Sequence, residues 1–112
     1  MSAIDIDRIA GDAFAAMLGV IGTAGPDIAQ YAKSEAAKIA ASVVQIGELR
    51  ASGVIDDEEM ALHLDIQKSA SRAVLMAVKG MGILTAERAI NAALSIVTKA
   101  VGTALGIPTL GA

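Results

Sequence analysis

The chain has 112 residues, a net charge of −3 and no cysteine, which bounds it to one domain without disulfides or a thiolate metal site. Its apolar fraction is 54%, yet it holds one phenylalanine (Phe14), one tyrosine (Tyr31) and no tryptophan, while alanine occurs 24 times. Excess acid and missing aromatics exclude nucleic acid as the expected partner, and alanine, the best helix former and a poor strand former, specifies an all-α fold. Without aromatic bulk, the core has to be made of Ile, Leu, Val and Met, with close backbone contacts over Ala and Gly.

The first helix is predicted over about residues 3–21, starting near Ser2 or Asp5. Ile6, Ile9, Ala10, Ala13, Phe14, Met17 and Leu18 share one face. Asp5–Arg8 and Arg8–Asp12 have the spacing of weak surface ion pairs. Gly22-Thr23-Ala24-Gly25-Pro26 ends the helix, and Pro26 opens a second one at about 26–52 that closes at Gly53. Along it, Ile28, Ala32, Glu35, Ile39, Val43 and Ile46 approach the coiled-coil repeat. Ala32, Ala36 and Ala40 form an adjacent stripe that lets another helix come close.

Asp56-Asp57-Glu58-Glu59 is the clearest local signal. Asp56 as N-cap with Glu59 three residues on is a variant of the capping box, and acids favour the positive end of a helix dipole. The run lacks the spread of ligands and the turn glycine of a calcium loop. The third helix is predicted over about 57–80 and the fourth over about 85–105, with Thr85 as the fourth helix's cap. Gly80-Met81-Gly82 separates them, because two interior glycines would cost a helix about 1 kcal/mol each. The rival is one helix of about 50 residues and ~75 Å. The segment 73–84 carries a single charge, Lys79, and reads as a helix buried on all sides. The expected architecture is one domain, 1–112, of antiparallel helical hairpins forming a bundle of three to four helices.

Chemistry is hard to find. The only histidine, His63, follows Glu59 by four residues, which is not the spacing of a di-iron Glu-x-x-His pair. No nucleophile elbow and no phosphate-binding glycine motif occurs. The expectation is therefore no catalytic residue, no metal, no cofactor and no small-molecule substrate. The amino terminus is acidic and lacks the basic start of a signal peptide, which predicts a cytoplasmic protein, with release inside a larger particle as the compatible exception.

Two features point to self-association. Small residues recur four apart on nearly every helix, most densely toward the C-terminus. Ala93, Ala100, Gly102, Ala104, Leu105, Gly106, Ile107 and Leu110 are expected to form an assembly interface, with the apolar end 107–112 docked in a neighbour. Residues 1–65 hold eleven acids and four bases, net −7, while residues 66–112 hold one acid and five bases, net +4. The two halves are electrically opposite, and either neutralise each other within the fold or meet head to tail between copies. The functional expectation is a structural protein forming a homo-oligomeric ring, tube or filament, of the kind found in cell fibres or virus particles. The alternative is a membrane-active protein that inserts its apolar C-terminal helix into a bilayer.

Overall fold

Each helix starts and stops where backbone chemistry allows. The computed structural model describes residues 4–22, 25–78 and 80–110, and every regular element among them is a helix: α1 (Ile6–Ile21), α2 (Pro26–Ala51), α3 (Asp57–Met76) and α4 (Ile83–Leu105). Ser2, Thr23, Ala24, Lys79 and the last two residues of the apolar end lie outside the described residues. The Asp5 side chain caps α1 by accepting from the Arg8 backbone N–H at 3.1 Å. The expected ion pairs are not formed: among the described residues Arg8 pairs with neither Asp5 nor Asp12. Gly22, at φ 76°, turns the chain out of α1, and Pro26 supplies the first position of α2.

At the end of α2, Gly53 adopts φ 81° and the Val54 N–H reaches back to the Leu49 carbonyl at 3.0 Å, a Schellman closure. The capping box of α3 is complete. The Glu59 N–H donates to Asp56 Oδ1 at 2.8 Å, and the Asp56 N–H donates to Glu59 Oε1 at 3.1 Å. The chain breaks between Met76 and Ile83, so the described residues form four helices and no continuous 50-residue rod. Thr85 does not cap α4. Gly82 takes the extended cap conformation, starts the helix two residues earlier and places Thr85 inside the first turn.

The helices pack against each other as a flattened bundle of 41 × 26 × 18 Å. α2 and α4 touch across the middle, α1 and α3 flank them on opposite sides, and α1 and α3 do not meet. The core is what an aromatic-poor sequence allows. Its bulk comes from Met17, Ile39, Val43, Leu75, Ile90, Val97 and Val101. Between them Ala13, Ala32, Ala36, Ala40, Ala86, Ala89 and Ala93 are fully enclosed. At Gly47 α2 lies close against the end of α4. A Cβ there would stand 2.9 Å from both Val101 Cγ1 and Leu105 Cδ1.

The expectation of burial on all sides of residues 73–84 is corrected. α3 ends at Met76 and the chain rounds the tip of the bundle, so Leu75 and Val78 point inward while Ala73, Met76, Ala77, Ile83 and Leu84 stand exposed.

If capping holds α3 as described, Asp56→Ala lowers stability by about 0.5–2 kcal/mol in urea denaturation, while Asp56→Asn, which keeps the acceptor oxygen, changes it little.

Candidate functional site

The C-terminal small-residue face meets the chain's own tail. α4 ends at Gly106, whose left-handed backbone (φ 67°, ψ 39°) reverses the chain. The Ile107 N–H then returns to the Gly102 carbonyl at 2.9 Å. The sequence Leu105-Gly106-Ile107-Pro108 is the signature of that turn: a glycine, an apolar residue to fold back, and a proline that stops the helix. Ile107 and Leu110 bury themselves, and the Leu110 carbonyl oxygen lies over Gly102 so closely that a Cβ would collide with it.

The expected interface is thereby divided. Ala93, Gly102, Ile107 and Leu110 are buried within the chain, Ala100 and Leu105 are half-buried, and only Ala104 and Gly106 are exposed. The space left by Gly102 belongs to the tail, so a neighbouring helix cannot use it, and the docking of residues 107–110 is intramolecular.

Asp57 holds this arrangement from the side, a role beyond its contribution at the α3 dipole. Its Oδ1 accepts from Arg50 Nε at 2.6 Å and from Thr109 Oγ1 at 3.1 Å, joining the end of α2, the start of α3 and the tail. The Arg50 hydrogen bond, then that of Thr109, holds the Asp57 carboxyl below the usual carboxylate range. Its contribution is therefore present above the ordinary carboxylate pKa, ~3.9, and is lost as pH falls below it.

Charged groups elsewhere are accounted for singly. Glu35, buried on the inner face of α2, accepts from Lys38 Nζ at 3.1 Å, and the lysine carries its ammonium into solvent. His63 is exposed on α3, and among the described residues no three His, Asp or Glu side chains converge. Among the described residues no helix is long and apolar enough to cross a membrane. The apolar face of α4, expected to insert in the alternative reading, is its inner one: Ile90, Val97 and Val101 are fully buried.

Among the described residues Ile6, Val20, Tyr31, Val54, Met76 and Ile96 are exposed large apolar side chains, and in two further places two strongly exposed aliphatics stand together. On the outward face of α3, Leu62 and Ile66 are 60% and 59% exposed, one turn apart. At the tip of the bundle, Ile83 and Leu84 are 65% and 59% exposed at the start of α4. Burying the exposed part of such a side chain would recover about 1–2 kcal/mol. Large aliphatics in neighbouring pairs, unlike scattered single ones, mark a contact surface. The sequence carried the signal in Leu62 and Ile66, which fall opposite the inward positions Met60, Ser71 and Leu75, but α4 drew the assignment because it is more apolar.

Two outcomes check the tail. Gly102→Ala displaces the residues beyond Gly106, costs about 1–3 kcal/mol and makes the tail susceptible to limited proteolysis, although alanine is the better helix former. The Thr109 NMR signals move toward unfolded values as pH is lowered through the Asp57 titration, and Asp57→Ala, which removes the acceptor oxygen of both bonds, gives that state at neutral pH.

No protein-family model matches the chain, and no curated protein or solved structure is significantly similar to it, so its function has to be argued from its own surfaces.

Proposed function

We propose that the chain is a non-enzymatic structural protein that assembles with copies of itself. One observation carries the reading: two pairs of large aliphatics, Leu62 and Ile66 on α3 and Ile83 and Leu84 at the start of α4, are left in water. One such pair closes a dimer. Two such pairs, each covered by a different copy, let each copy hold more than one neighbour, which is the requirement for a ring, tube or filament.

The charge distribution agrees. The ion pairs among the described residues are Glu35–Lys38, Arg50–Asp57 and Arg72–Glu87, and each joins groups from the same half of the sequence. The acidic first half and basic second half do not discharge against each other through these pairs, which leaves opposite charge available between copies. The bilayer alternative has less support, because the apolar side chains of α4 already form the core.

Sedimentation velocity in lipid-free buffer tests the proposal. The expected result is a mass that rises with concentration beyond two copies of the 11.3 kDa chain. Glu in place of both Ile83 and Leu84 should then stop growth at a small closed oligomer. A single species of 11.3 kDa at every concentration would overturn the reading.

A further inference from the structure

We infer that α3 pairs with α3 of a second copy, antiparallel, about a two-fold axis passing beside Ser69 and Ala70. The inference rests on the self-assembly reading and names the surface that begins it. Three features of α3 support it.

The first is the spacing of its outward face. Leu62, Ile66, Ala70 and Ala73, with Ala77 at the C-cap, are all exposed and recur at steps of three and four, which keeps them on one side of a helix. Met60, Ser71 and Leu75 occupy the opposite, buried side. The stripe is symmetric: Leu62 and Ala77 lie equally far from the Ser69–Ala70 bond, and so do Ile66 and Ala73.

The second is shape. In an antiparallel pair centred on that bond, Leu62 of one copy faces Ala77 of the other, and Ile66 faces Ala73. Each large side chain enters a hollow left by a small one, and the alanines let the axes approach to ~8–10 Å. A parallel pair in register would set Leu62 on Leu62 and leave the alanines facing one another across a gap.

The third is charge. α3 is polarised along its length, with Asp57, Glu58, Glu59 and Asp65 in its first half and Lys68 and Arg72 in its second. Antiparallel pairing lays the acidic half against the basic half, whereas parallel pairing sets like on like. On one flank of the stripe, exposed Asp65 comes opposite Arg72 of the second copy, and the two-fold makes this contact twice. Arg72 has donors to spare, since its Glu87 contact within the chain is 3.8 Å, long for a hydrogen bond. The sign change along the sequence thus falls close to the symmetry axis, and an isologous contact uses it twice.

Because the protein has no cysteine, Ser69→Cys introduces a lone thiol beside the proposed axis. At an axial separation of ~8–9 Å, the two Cα atoms come within the ~4.4–6.8 Å a disulfide spans. Mild oxidation should give a covalent dimer in high yield, while Ser34→Cys, exposed on α2, should give little. Ile66→Lys should weaken the dimer by about tenfold or more, with circular dichroism unchanged because the residue is exposed. Asp65→Arg and Arg72→Asp should each weaken it, and the double variant should restore it. If copies associate but Ser69→Cys does not cross-link and Ile66→Lys leaves the mass unaltered, assembly uses another surface and this inference falls. If the parent chain is monomeric at every concentration, the self-assembly reading falls with it.

Discussion

The fold depends on how closely α2 and α4 approach across the middle of the bundle. A chain with almost no aromatic side chains cannot fill a wide core, so its helices have to come together over small residues. At Gly47 even a methyl group would press on Val101 and Leu105 at 2.9 Å. Along α1, α2 and α4 seven alanines are fully buried, and the thin dimension of the molecule is only 18 Å, roughly two helix diameters. In such a flattened bundle the two flanking helices cannot reach each other, and each must bury its apolar face on the α2–α4 pair alone. α1 does this with Ile9, Ala13 and Met17. α3 does it with Met60, Ser71 and Leu75, and keeps Leu62 and Ile66 outside.

The same economy of bulk explains the tail. Gly102 leaves a hollow at the C-terminal end of α4, and a chain that reverses at Gly106 can fill it with Ile107 and Leu110. Asp57 then links this end of the molecule to Arg50 and Thr109, so three segments meet at one carboxylate. Small residues have two uses here that look alike in a sequence. On α2 and α4 they bring helices or backbone into contact within the chain, and on α3 Ala70, Ala73 and Ala77 lie open to solvent.

The four helices were legible because their signals are local. Proline at a helix start, glycine at positive φ and a reciprocal Asp–Glu cap act over three or four residues, and no distant contact is needed to read them. Thr85 was misread for the same local reason: threonine is the better capping side chain, yet Gly82 reached the extended conformation first. The bare face of α3 was not legible, since hydrophobicity along a helix says that one face seeks cover but not whether the chain supplies it. α4 and the tail cover each other. Leu62 and Ile66, on a helix rich in charge, are left bare because the inward positions of α3 already claim the core. That choice depends on the three-dimensional order of the helices, with α1 and α3 on opposite sides.

Hydrogen exchange of the full chain at a low and a high protein concentration tests the central claim most directly, namely that α2 and α4 are satisfied within the chain while α3 is not. The account predicts strong protection in the middle of α2 and α4 at both concentrations, and α3 amides between residues 62 and 77 that gain protection as concentration rises. It would be contradicted by α3 protection that is independent of concentration, or by a concentration-dependent gain confined to α4 and the tail.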